Sequence, residues 1–363
     1  MSRGTTRQRL LPLAFAALVL ACSGVAKAEP YLAIYKGLHC SSCHSHESGG
    51  GMRNAYGNVF AQMELPANVA QNADKLWNGQ VNSWLSAGAD LRGRYEYVDD
   101  GDNRSAFDIT RGTVYVEASL YQGRALLYVD QQIAPSSSIN REAYVKLKGK
   151  QFNLTAGQFY LPYGLRLQDD TAFVRRATGI NFTNPDRGVQ LGYENGRWSS
   201  ALSLTNGSGG GSEIDDGKQL SAVTSYATPR WRIGASINHN NADGGDRSMA
   251  NLFGGLKTGN AVWLFEVDAI RDEIAGASDL DGIAGIAEVN WLLRRGHNLK
   301  VSYEYLDPDT DTSEDHQIRW SLLYELTPFP YLQARFGVRA NDGPPQTTDA
   351  NREVGFVELH AFF

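Results

Sequence analysis

Cysteine is scarce. Only three occur in 363 residues, so a disulfide framework is excluded. Basic charge is not in excess. Lys and Arg number 34 against 40 Asp and Glu, a net charge of −6, which argues against nucleic acid as a partner. Long hydrophobic runs are missing too. The apolar stretch Leu10 to Ala21 is too short for a spanning helix, which needs about 20 residues. What is abundant is Gly (38) and Tyr (17), with seven Trp, a balance that suits a β-rich chain. Length alone suggests two domains, although large β-barrels break that guide.

Residues 1–28 have the form of a secretory signal. Arg3, Arg7 and Arg9 precede the apolar stretch, and Ala26-Lys27-Ala28 is a small-x-small cleavage site. A lipoprotein signal at Val19-Leu20-Ala21-Cys22 is the weaker alternative. Cleavage after Ala28 removes four basic residues and no acid, and moves the net charge from −6 to −10. It also removes Cys22.

The two remaining cysteines stand in Cys40-Ser41-Ser42-Cys43-His44, the C-x-x-C-H attachment pattern of c-type haem. Two thiols at this spacing add to the two vinyl groups of one porphyrin, and the adjacent His reaches the iron. A thioredoxin-like dithiol expects a βαβ context, which is absent, and a zinc site expects a second ligand pair. One covalent haem c is therefore expected, with His44 as proximal ligand. Met63 and His46 are the leading distal candidates, with Met52 and His39 behind them. A ligand from elsewhere in the chain is also open. Residues 53–64 have helical spacing, with Tyr56, Phe60 and Met63 on one side. The expected haem segment, residues 29–78, is small, so its haem needs cover from the rest of the chain.

From about residue 81 the pattern changes to a period of two. Leu91, Tyr95 and Tyr97 alternate with Asp90, Arg94 and Glu96, and Ile318, Trp320 and Leu322 with Arg319 and Ser321. An apolar, aromatic face opposite a charged face is the pattern of a transmembrane barrel. Seven tight connections, such as Asn195-Gly196 and Thr258-Gly259, alternate with eight long ones, such as 161–186 and 307–315. That count predicts an all-β transmembrane barrel of about sixteen antiparallel strands over residues 79–363. Short turns belong to the periplasm and long loops to the outside. Residues 353–363 end in an aromatic strand, similar to the signal read by the outer-membrane insertion machinery.

Several loop residues invite a role. Arg166, Arg175, Arg176 and Arg187 lie in or beside the longest loop. Its entry, Gly157 to Gly164, resembles the same point in phosphate-selective porins, which implies a loop folded into the pore and a preference for anions. The acidic run Asp307 to Asp315 offers oxygen ligands for Ca²⁺ or Fe²⁺. His239 and His316 lie near external strand ends. His360 shares the parity of Glu358, so it faces the lumen near the periplasmic mouth, within approach of the haem.

Taken together, Glu29-Pro30, Gly37, the C-x-x-C-H motif, Gly57, Phe60 and the barrel pattern resemble the fused cytochrome–porins. The best-known members of that family are outer-membrane iron oxidases. The resemblance implies an outer-membrane protein that carries electrons between an external partner, Fe(II) among them, and a periplasmic c-type cytochrome. The implied partners are those two and outer-membrane lipid. The Gly-rich stretch Gly49 to Asn54 departs from the iron-oxidase branch. The rival reading is a solute or anion porin whose haem-bearing plug senses redox state.

Overall fold

The computed structural model describes residues 29–72, 75–100, 103–180 and 184–363. The expected leader lies outside the described residues.

Sixteen antiparallel strands close into one barrel. The first eight are β1 (Leu85–Asp99), β2 (Arg104–Leu120), β3 (Ala125–Ala134), β4 (Ile139–Lys148), β5 (Phe152–Phe159), β6 (Asp186–Asn195), β7 (Trp198–Thr205) and β8 (Gln219–Ala227). The second eight are β9 (Trp231–Asn240), β10 (Gly245–Thr258), β11 (Ala261–Ile274), β12 (Leu280–Arg294), β13 (His297–Asp307), β14 (Gln317–Phe329), β15 (Leu332–Asp342) and β16 (Glu353–Phe362). Every strand pairs with its neighbour in sequence, and β16 returns to β1 with Asp90 opposite Phe362 and Arg92 opposite His360. Closure matters because hydrocarbon cannot satisfy the N–H and C=O groups of an open sheet edge. The expected strand number and loop alternation are both found.

The two faces differ as the alternation predicts. Leu91, Val145, Leu191, Ile237, Val267, Leu322 and Leu359 point outward and are exposed. Trp198, Tyr226 and Trp231 cluster outside the turns that join β6 to β7 and β8 to β9, with ring centroids 5.0 and 5.6 Å apart. Phe152 and Tyr193 meet at 4.9 Å near the same rim. Toward the opposite rim, Tyr95 stacks near Phe107 at 4.7 Å and Tyr303 near Trp320 at 4.8 Å. Aromatic girdles flanking an apolar band place the barrel in the outer membrane.

The inward face is charged and buried. Arg92, Lys146, Glu266, Lys300, Glu304, Arg319, Arg335 and Glu358 are all buried. Two bodies fill the lumen. One is the chain before β1, with α1 (Pro30–Lys36) and α2 (Ala55–Met63). α1 lies on β10 and β11. The other is the connection between β5 and β6, which folds inward and forms α3 (Phe173–Thr178) against β11, β12 and β13. This second body is held by charge. Phe173 N–H donates to Glu304 at 2.7 Å, Leu165 N–H to Glu266 at 2.7 Å, and Asp169 accepts from Arg319 and Arg339 at 3.3 and 2.5 Å.

Candidate functional site in the barrel lumen

The C-x-x-C-H sequence folds as a tight turn. Cys40–Ser42 form one turn of 3-10 helix, and the N–H groups of Cys43 and His44 both donate to Cys40 O at 3.1 Å. The chain then doubles back. Ser45 N–H donates to Met52 O at 3.1 Å and Asn54 N–H to Cys43 O at 3.0 Å. Gly49, Gly50 and Gly51 close this loop with φ of 84°, 70° and 59°, a left-handed run that side chains resist.

Asn54 starts α2. Its Oδ1 accepts from Gly57 N–H at 2.9 Å, an N-cap, while its Nδ2 donates to Ser41 O at 2.9 Å and ties the helix to the motif. Gly57 lets the helix seat: a Cβ there would stand 2.1 Å from Cys43 O. The buried face is therefore Gly57, Phe60 and Ala61, and Tyr56 is exposed. The expected Tyr56–Phe60–Met63 face is corrected on this point, because close backbone approach outranks the apolar spacing.

Barrel side chains grip the segment. Lys146 donates to Glu47 and to Ser45 O, both at 2.8 Å. Glu194 accepts from Ser41 Oγ at 2.6 Å. Tyr128 Oη accepts from Met52 N–H at 3.0 Å, and Lys300 pairs with Glu29. The segment thus has fixed positions on β3, β4, β6 and β13.

A partly open cavity lies between segment, barrel wall and inward loop. The segment contributes Cys40, Cys43, His44, Gly49 to Gly51 and Arg53. β1, β2 and β16 contribute Asp90, Arg92, Arg111, Tyr115 and His360, and the loop contributes Arg166 and Gln168. Both cysteines are free thiols. Burial, then the neighbouring Cys40, pushes the Cys43 thiol up to about 11. A redox dithiol needs the opposite shift. Burial, followed by the Arg53 and Arg166 guanidiniums, pulls His44 down to about 3, so its imidazole is neutral and its lone pair is available to a metal.

The expected site residues divide. Cys40, Cys43 and His44 meet at the cavity. Met63 does not line it, and neither do His46 and Met52. His46 is buried 3.8 Å from Glu142, with its Nδ1 accepting from Ser48 N–H at 3.1 Å. His39 lines the cavity, and its Nε2 lies 3.0 Å from Gly196 O. His360 lines it from β16. The loop arginines do not form one filter. Arg175 is buried against Glu266, Arg176 donates to Gln317 at 2.7 Å, and Arg187 to Gln158 at 3.0 Å. Only Arg166 reaches the cavity, stacked 4.3 Å from the Tyr160 ring. Among the described residues, no three acidic, His or Cys side chains converge as a metal cage, so the acidic run at Asp307 to Asp315 forms none. His239 lies 2.9 Å from Ser248 Oγ, and His316 stacks on Tyr305. Sequence reasoning missed Arg53, Arg92 and Arg111 at the cavity. Strand parity marks Arg92 as inward with Asp90, but only the cross-strand register puts Arg111 opposite it.

No curated protein matches. Residues 114–231, from β2 into β9, match the family of phosphate-selective porins O and P. An anion-selective porin from Comamonas acidovorans superposes with a TM-score of 0.64 at 12% identity, covering 77% of this chain and 99% of that one. A loop-deletion mutant of OmpT from Vibrio cholerae superposes at 0.62 with 14% identity, over 77% and 99% of the two chains. At such identities the shared property is the sixteen-stranded porin fold. The chain is a porin-like outer-membrane barrel with a family match over its second to ninth strands.

Proposed function

We propose that this barrel carries one covalent haem in its lumen and passes electrons between a periplasmic c-type cytochrome and an external redox partner, with Fe(II) as the first candidate donor. One observation carries the reading: Cys40, Cys43 and His44 line one and the same cleft in the lumen. The donor set fits the group. Two free thiols stand at attachment spacing beside a neutral imidazole. Gly49 to Gly51 keep the wall thin, since a Cβ on Gly49 would stand 3.2 Å from Cys40 Cβ. Haem bound here supplies a one-electron iron couple.

The chain's own residues do the rest. Cys40 and Cys43 tether, and His44 presents its lone pair. Arg53, Arg92, Arg111 and Arg166 face the cavity with positive charge suited to carboxylates. Buried side chains around the cavity, His360 and Arg92 among them, lower the local dielectric and so tune the potential. The buried lumen charges also argue against a wide, water-filled channel.

The second reading, an anion channel with a redox-sensing plug, is favoured by the family match and by the arginines at the cavity. Full-length protein matured with haem and placed in proteoliposomes separates the two. External Fe(II) should reduce enclosed cytochrome c, and C43A barrels should not support it. Large phosphate conductance in planar bilayers without electron transfer would favour the channel. A chain that carries no haem after maturation would overturn the haem in both readings.

A further inference from the structure

The haem reading leaves the second axial position open, and the barrel wall offers a donor for it. Resting on that reading, we propose that His360 of β16 is the distal ligand and that Asp90 of β1 orients it. The inference starts from which donors reach the cavity. Beyond the attachment motif, the described nitrogen donors of suitable type there are His39, His360 and Lys36. Lys36 is engaged with Glu64 at 2.9 Å. His39 lies 3.0 Å from a carbonyl of the β6–β7 turn, and as the residue before Cys40 it stays on the tethered edge. No methionine lines the cavity. His360 stands on β16, apart from the turn that carries His44, so the two reach the cavity from different walls.

The surroundings of His360 are those of a metal-binding imidazole. Such a histidine characteristically gives its other ring N–H to a carboxylate, which fixes the ring and raises its basicity. Asp90 Oδ2 lies 3.0 Å from His360 Nε2. Asp90 is itself fixed by two bonds of 2.9 Å from Arg92, its neighbour two residues along the same face. Phe362 packs on His360 at 4.8 Å, and Arg53 stacks over Phe362 at 4.4 Å. The ring therefore has a defined orientation set by β1, β16 and the segment together.

The test uses the full chain matured with haem, with covalent attachment confirmed on a denaturing gel and barrel closure by heat-modifiable mobility. Wild type should show a low-spin ferric spectrum of two nitrogen donors. H360A should become high-spin, bind carbon monoxide when reduced, and return to low spin with added imidazole. H360M should keep low spin with a sulfur signature and a raised midpoint potential. D90N should keep low spin but raise the potential, because a less basic imidazole favours Fe(III) less. H39A, H46A and M63A should match wild type. A wild-type spectrum in H360A, or loss of low spin in H46A or M63A, overturns the assignment. So does a high-spin wild type, as tyrosinate ligation by Tyr115 would give. If H360A does not close, H360Q and D90N carry the same readouts. Absence of covalent haem in wild type would instead overturn the function proposed above.

Discussion

At the residue scale, two contacts illustrate how the lumen segment is fixed, one within it and one to the barrel wall. Gly57 is the closer. A Cβ there would meet Cys43 O at 2.1 Å, and the obstacle is backbone, which cannot rotate aside. Overpacking of this kind costs about 1–3 kcal/mol. G57A should therefore lift α2 from the motif, seen as faster proteolysis within residues 45–65 with the barrel intact. Lys146 is the second. Its ammonium is buried and offsets the Glu47 carboxylate. Removing one member of a buried pair costs about 3–5 kcal/mol. K146M should loosen the segment, and adding E47Q should restore most of the loss; a double-mutant cycle on segment protection measures the coupling.

At the element scale, the inward connection between β5 and β6 is clamped through Asp169. Burial alone would raise this carboxyl, but the Arg339 and Arg319 guanidiniums outweigh burial and hold it well below the usual carboxylate range. A depressed folded value means that the stabilisation is complete above the unfolded value of about 4 and is lost only as pH falls through the folded one. The clamp should persist at pH 4 in bilayer recordings, with conductance as low as at neutral pH. D169N should raise conductance at both. The elements also show how far the sequence can be read. Alternation such as Ile318, Trp320 and Leu322 against Arg319 and Ser321 located every strand, because lipid and lumen impose opposite chemistry on adjacent residues. The inward loop was legible from its length and from Gly157 to Gly164. The destinations of Arg175 and Arg176 were not, since a guanidinium's partner depends on strands about ninety and one hundred and forty positions away. The same limit hid the cavity role of Arg111, which only register reveals.

At the scale of the whole molecule, a closed wall surrounds a segment whose contacts lie mostly inside it. Cys40 sits 3.4 Å from Arg232 on β9, and Ser41 donates to Glu194 on β6. The two cysteines, which are only partly buried, thus sit in a motif held by β6 and β9. On the haem reading proposed above, these contacts predict an order of biogenesis: thioethers form on the exported chain first, and the barrel then packs around the finished segment. A chain folded into detergent without haem should resist later attachment, whereas the same chain loaded while unfolded should close around its cargo. Haem stain on a denaturing gel distinguishes the two histories. On that reading the closed sheet acts as a record of sequence in time: the cargo of the cysteines is joined before the strands pack around the segment.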